Sequence, residues 1–318
     1  MQLQWRSYQF ALKPPVVTAC GPWSDRCGWL LRLDDSQSSR IGWGEAAPLP
    51  GDHAHCATAL AALPVECSTA HLEQALRTLP GPLAFAIGLA LAELAGLPGG
   101  PWLPAPASAV LLPAGADAIT ALQQCLRRQE TNTLAMVAKW KVGVLDPDTE
   151  LQLLEQLLEL LPNGALLRLD ANGGWDRATA GRWAMRLQQE PKLQWLEQPL
   201  PPSDHAGLLA LAKRLPVALD ESLRDQAGVP VGWPGWLAHK PALEGDPRPL
   251  LQQLQAGAPR CIVSTALETG IGARAVAHMA ALASLGPTPC AAGLAPGWGA
   301  SGDLASHNPQ LVWEAAGP

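Results

Sequence analysis

TLAMVAKWKVG, residues 133–143, sets two lysines, Lys139 and Lys141, two positions apart at the end of an apolar run. Side chains two apart on a strand share one face. The chain has only six lysines, at positions 13, 139, 141, 192, 213 and 240, so a neighbouring pair on an apolar strand asks for a chemical reason. Each ammonium group disfavours protonation of the other, which lowers a lysine pKa from about 10.4 toward the range of a general base. Two lysines at a solvated strand end are the plainer alternative, and the surrounding pattern has to decide between them.

Strand-like stretches of the same kind recur as SAVLLP from 108, TLAMVAKWK from 133, ALLRLDAN from 165, QWLEQP from 194, PVALDES from 216, WLAHKP from 236, RCIVSTA from 260 and PCAAGL from 289. Between them lie helical runs such as LQLLEQLLELL, whose leucines 151, 154, 158 and 161 form one stripe after Asp146 as cap and Pro147 in the first turn. Similar starts occur at Asp176, Ser203 and Asp246-Pro247. Eight apolar strands, each feeding a helix, predict an α/β fold of the parallel (β/α)8 barrel type. A doubly wound open sheet is the alternative, but no GxGxxG or Walker motif opens any of these helices.

The N-terminal third has a different rhythm. WRSYQF, GWLLRL and RIGWGEA suggest a small antiparallel meander, with loops at 13–25 and 47–52 that are lids or plain connectors. Three alanine- and leucine-rich helices follow, separated at Pro64 and at Leu79-Pro80-Gly81. PGGPWLPAPA, residues 98–107, is a Pro/Gly-rich joint. The expected organisation is an α+β capping domain over 1–104, a barrel over 105–301, and a tail over 302–318 that packs back on the first domain.

The chain has 318 residues, 48% hydrophobic and 16% charged, which describes a globular protein with a sizeable core. Its net charge of -6 gives no basic footprint for nucleic acid or an anionic membrane. Seven cysteines without CxxC or CxxH spacing predict reduced thiols in a cytoplasmic setting and no zinc site. The first residues lack a signal-peptide profile, so the chain is read as mature from Met1. The apolar stretch Gly81–Gly96 contains Glu93 and is too short to span a bilayer, so it is expected to be a buried core helix.

In a barrel the active site lies at the carboxyl ends of the strands. There the sequence places Lys139 and Lys141, Asp170 and Asn172, Glu197, Asp220 and Glu221, Lys240, and Ser264 with Glu268 beyond it. Asp170, Glu197 and Asp220 come from three successive strands, and carboxylates placed side by side repel unless a cation joins them. Oxygen ligands without Cys or His favour a hard divalent ion, Mg²⁺ first. Taken singly, each acid also reads as a helix cap or loop salt bridge. A lysine facing a metal-bound carboxylate can remove the proton α to it, and lysines on the second and sixth strands allow a one-base elimination or a two-base epimerisation. Arg168 shares the face of Asp170 and orients ligands or forms a structural ion pair; His239 has the wrong parity to face inward and receives no role.

The lysine pair in AKWKVG, with LRLDANGGW, WLEQPL, ALDES, HKPAL and VSTALETGIG in this order, resembles the enolase superfamily, muconate lactonizing subgroup. Within it the chain looks most like the o-succinylbenzoate synthases of menaquinone and phylloquinone biosynthesis. The resemblance implies Mg²⁺ held by Asp170, Glu197 and Asp220, with Lys141 as base, Lys139 tuning it, and Lys240 as a cation near the delocalised charge. It also implies a small carboxylate substrate contacted by Arg168, Asn172, Ser264 and Thr265, with Ser264 and its neighbours at the succinyl end. The implied reaction is dehydration of 2-succinyl-6-hydroxy-2,4-cyclohexadiene-1-carboxylate. No nucleic-acid or membrane partner is expected, and both a monomer and a homo-oligomer fit. Trp140 stands where a smaller aliphatic residue is usual, and by parity it faces the helices. GLAPGWG lacks the paired aspartates of the dipeptide epimerases, which leaves N-acylamino acid racemase as the second reading and a non-catalytic binding barrel as a remote third.

Overall fold

The computed structural model of the protein describes residues 1–19, 21–128 and 136–317. The chain begins with three strands, β1 (Gln2–Thr18), β2 (Gly21–Asp35) and β3 (Arg40–Ala46), which form one sheet in that order with β2 and β3 antiparallel. The expected meander is therefore present, but its strands are longer than the sequence reading had them. Residues 13–25 mostly continue β1 and β2 instead of forming an open loop. Pro14 and Pro15 are tolerated because β1 is an edge strand, where a missing N–H removes no ladder bond. Residues 50–52 form a single 3₁₀ turn leading into the first helix.

Helices α1 (His53–Ala61), α2 (Thr69–Ala75) and α3 (Gly81–Leu94) follow, separated where Pro64 and Pro80 break the pattern. The alternation Gly42-Trp43-Gly44 explains how α3 meets the sheet. A Cβ on Gly42 would fall 2.1 Å from the Ala90 carbonyl oxygen, and one on Gly44 2.0 Å from that of Ala86, so helix and strand backbones touch. The opposite face of β3 presents Trp43, whose ring meets Trp313 edge-on at 5.7 Å. Pro82 to Ala92 of α3 are buried throughout, and no helix among the described residues is long and apolar enough to cross a membrane.

Seven parallel strands make the second sheet: β4 (Val110–Leu112), β5 (Val137–Lys141), β6 (Leu166–Asp170), β7 (Leu193–Glu197), β8 (Val217–Leu219), β9 (Trp236–His239) and β10 (Cys261–Val263). They are ordered along the sheet as along the chain, the arrangement expected of successive right-handed β/α units. The strand read from residue 133 is described only from Val137; residues 133–135 lie outside the described residues. The helices are α4 (Asp117–Arg128), α5 (Pro147–Leu160), α6 (Arg177–Leu187), α7 (His205–Ala212), α8 (Pro241–Glu244), α9 (Pro247–Gln255), α10 (Gly270–Ser284) and α11 (Pro309–Ala315). Asp146, Asp176 and Asp246 cap α5, α6 and α9 as expected, whereas α7 is capped by Asp204, one residue after the expected Ser203.

The fold class read from the sequence holds, with two departures from the regular eightfold repeat. The stretch from 289 forms no regular eighth strand, only bridge pairings at Ala292 and Gly293: Gly293 bridges Ser264 in parallel, and Ala292 N donates to the Ala107 carbonyl at 2.8 Å. After β8 the chain makes a 3₁₀ turn, Glu221–Leu223, where a helix was expected; the following residues to Gly235 are rich in proline and glycine.

The described residues gather into two compact units. One comprises Met1–Pro14, Ser24–Ala107 and His239–Pro318, and the other Pro15–Trp23 and Ser108–Ala238. In the first, Tyr8, Leu30, Trp43 and Ile271 pack with Val312 and Trp313 of α11. In the second, Trp140 is fully buried among Leu154, Leu157 and Trp183, so it does face the helices. The buried stripe of α5 runs through Glu150, Leu153, Leu154, Leu157 and Leu158, displaced from the expected one because Leu151 is only half-buried.

Candidate active site

Strand register assembles the candidate site. Lys139 pairs with Arg168 and Lys141 with Asp170 across β5 and β6; Asp170 pairs with Glu197 across β6 and β7; Glu197 pairs with Ala218 across β7 and β8. Because inward side chains alternate, this register brings both lysines and two acids to one face, and Asp220 follows at the end of β8. All are withdrawn from solvent: Asp170 and Glu197 are 0% exposed, Asp220 1%, and Lys139 and Lys141 8% each.

Lys139 Nζ lies 2.6 Å from Glu197 Oε1 and 2.9 Å from Asp170 Oδ2. Lys141 Nζ donates to the same Asp170 Oδ2 at 2.9 Å and to Asn172 Oδ1 at 3.0 Å. Asn172 in turn donates from Nδ2 to Glu221 Oε1 at 3.2 Å. The expectation that the lysine pair depresses its members' pKa values does not hold for Lys139. Burial alone would lower it, but the Asp170, Glu197 and Asp220 carboxylates outweigh burial and raise it above the ordinary lysine value.

Among the described residues no three Asp, Glu, His or Cys side chains are gathered as a ready metal cage. The donor set nevertheless fits a hard divalent ion. Three buried carboxylates end consecutive strands without a thiol or imidazole among them, and the cationic Lys139 nitrogen bridges two of them where compensating positive charge is required. Arg168, 0% exposed, hydrogen-bonds Gln194 Oε1 at 2.7 Å and lies 4.1 Å over the Trp195 ring, itself stacked on Trp236. Trp195 Nε1 points at Glu197 Oε2, 3.4 Å away.

Lys240, Ser264 and Thr265 belong to the other compact unit. Lys240 follows β9 directly, and its backbone N–H donates to Glu244 Oε1, whose second oxygen lies 2.7 Å from His239 Nδ1. Ser264 is 3% exposed and its Oγ has no hydrogen-bond partner among the described residues. Thr265 Oγ1 is engaged within its own loop, donating to Glu268 Oε2 and accepting from Leu267 N at 2.7 Å.

Sequence reading missed the side chains that hold the strand ends. Glu150, 0% exposed, accepts from the backbone N–H groups of Gly143, Val144 and Leu145 at 2.7–3.0 Å and so anchors the turn after Lys141. Glu45 accepts from Thr269 N, Thr269 Oγ1 and Gly272 N and thereby caps α10. Their only sequence signal was an acid at a position that helical or strand periodicity assigns to the core.

A family model, enolase C-terminal domain-like, matches residues 120–229. The chain is 40% identical to the o-succinylbenzoate synthase of Thermosynechococcus vestitus over 88% of each chain. It is 32% identical to that of Edwardsiella ictaluri over 83% of this chain and 81% of the relative. The solved o-succinylbenzoate synthase of Thermosynechococcus elongatus BP-1, complexed with Mg in its active site, superposes with a TM-score of 0.78 at 36% identity over 99% of this chain and 100% of the other. Two strands of evidence thus agree, the lysine and carboxylate ladder on the parallel sheet and the full-length likeness to named relatives, and the chain belongs to the o-succinylbenzoate synthase family of the enolase superfamily.

Proposed function

We propose that the protein dehydrates 2-succinyl-6-hydroxy-2,4-cyclohexadiene-1-carboxylate to 2-succinylbenzoate, with Lys141 as the base. The observation that carries this reading is the position of Lys141 Nζ, hydrogen-bonded to Asp170 and Asn172 at the end of β5 beside three buried acids. In its neutral form Lys141 takes the proton from the carbon bearing the substrate carboxylate. The bond to the 6-hydroxyl then breaks, and the proton held on Lys141 leaves with that oxygen as water, so the ring becomes aromatic and the lysine returns to its starting state. Asp170, Glu197 and Asp220 would hold a divalent ion, Mg²⁺ by the chemistry of the donors, which when bound supplies electrostatic stabilisation of charge developing on the carboxylate.

The other residues are assigned supporting parts. Lys139 neutralises Asp170 and Glu197 and sets the field at Lys141. Lys240 is a stabilising cation and not a second base. Asn172 orients Lys141, and Ser264, whose hydroxyl has no partner among the described residues, takes the succinyl end. Arg168, which hydrogen-bonds Gln194 and lies over the indole face of Trp195, is given a positioning part through Trp195 on Glu197. In this reading residues 1–104 with the tail 302–318 form the capping domain and 105–301 the catalytic one.

The test is ultraviolet loss of the cyclohexadiene substrate with Mg²⁺ and with EDTA, run beside polarimetry of an N-acylamino acid. Rapid Mg²⁺-dependent loss is the expected result. Racemisation without dehydration would replace the reaction while keeping the lysines, and silence in both would overturn the proposal.

A further inference from the structure

Gln198 follows Glu197 at the end of β7, is 0% exposed, and adopts φ +36°, a conformation that residues with a Cβ rarely take. Every hydrogen-bonding group it has is engaged. Its backbone N–H donates to the Ala218 carbonyl at 2.8 Å on β8, and its carbonyl accepts from Gly173 N at 2.7 Å, just beyond β6. The side-chain oxygen accepts from Asp220 N at 3.1 Å and Ser222 N at 3.2 Å; the side-chain nitrogen donates to Leu200 O and Ser222 Oγ, both at 3.0 Å. One residue thus ties together the ends of the three strands that carry Asp170, Glu197 and Asp220.

From this geometry we infer that Gln198 is the positioning residue that fixes the spacing of the three carboxylates for a divalent ion. The inference rests on the metal-holding role given above to Asp170, Glu197 and Asp220. Carboxylates on separate strands repel one another, and without a rigid link their strand ends relax apart, so an ion that binds them must first draw them together. Gln198 removes that cost before the ion arrives. Only a carboxamide does this, because the site needs an acceptor for two backbone N–H groups and, on the same planar group, two donors for Leu200 O and Ser222 Oγ. A carboxylate lacks the donors, and an apolar isostere lacks both.

The experiment is calorimetric titration of the purified metal-free protein with Mn²⁺, comparing wild type with Gln198→Met, a substitution of similar volume. A cooperative melt establishes that the variant is folded. The expected result is a Kd for Mn²⁺ raised about 10- to 100-fold, the range seen when groups orienting metal ligands are lost. At saturating metal, KM for the carboxylate substrate should change less than the metal Kd. A folded Gln198→Met variant that binds Mn²⁺ within twofold of wild type would overturn the inference, even if it melts at a lower temperature, because that pattern belongs to core packing alone. Should Gln198→Met not fold, Ser222→Ala removes one side-chain partner and leaves the rest; a measurable weakening supports the inference and an unchanged Kd overturns it. Wild-type protein that binds no Mn²⁺ would sink the metal reading itself, an outcome distinct from a variant that binds normally.

Discussion

The Lys139 ammonium sits 2.6 Å from the Glu197 carboxylate, with both side chains all but closed to water. It also reaches Asp170, so one lysine holds together two acids that would otherwise repel. Removing one partner of a buried ion pair leaves the other uncompensated, at a cost of about 3–5 kcal/mol. Lys139→Met should therefore lower the thermal midpoint sharply in EDTA. Saturating Mg²⁺ should restore part of the loss, because a ligand that binds only the folded state stabilises it. Melts with and without Mg²⁺ check this; no Mg²⁺ effect in either protein would contradict the assigned donor set.

Lys141 is assigned to proton transfer, and its replacement should leave the fold intact. Lys141→Ala is expected to reduce kcat by about 10²- to 10⁴-fold, the usual contribution of a positioned acid–base group. Circular dichroism should match wild type. A variant that keeps most of its turnover would reject Lys141 as the base.

Trp140 lies between the two lysines in sequence and on the other face of the strand in space, fully buried with Leu154, Leu157 and Trp183. Trp140→Ala should cost about 3–5 kcal/mol of stability through the cavity it leaves. Its kcat per folded molecule should stay near wild type, measured below the melting transition. A large fall in kcat with unchanged stability would reverse the assignment.

His239 gives the fold a pH dependence with a definite sign. Burial alone would lower its pKa, but contacts with Cys261 and Glu244 prevail and raise it to about 9. A histidine whose folded pKa exceeds its unfolded value contributes stability fully below about pH 6.5, and loses it as the pH rises through the folded pKa. The window is therefore about pH 6.5 to 9, with on the order of 3 kcal/mol at stake. Urea midpoints at both ends should fall with rising pH, and Glu244→Gln should flatten that slope.

Fold class and most of the candidate site were open to reading in the chain itself. A period of two in VAKWK separates Lys139 and Lys141 from Trp140 with no reference to any partner strand, because alternation is a local property of extended backbone. Caps at Asp146, Asp176 and Asp246 were likewise local, as a side-chain oxygen reaches an N–H two or three residues on. The register that sets Lys141 against Asp170 and Asp170 against Glu197 is not local, and neither is the direction of the Lys139 pKa shift. Counting only its neighbouring cation predicts a fall, while the acids at the ends of β6 and β7 and just after β8 produce a rise.

By itself, then, the sequence determined which residues end the strands and which face they share, since both follow from spacing along one chain, and its motifs, in their order, carried the family resemblance. Only the tertiary structure decided what those residues meet. Gln198 is one unremarkable polar residue in WLEQPL until the ends of β6 and β8 arrive beside it, and Glu150 is one acid on a helix until the turn after Lys141 folds onto it. Long-range hydrogen bonds and charge pairs depend on distances between segments far apart in the chain, and those distances exist only once the sheet has formed.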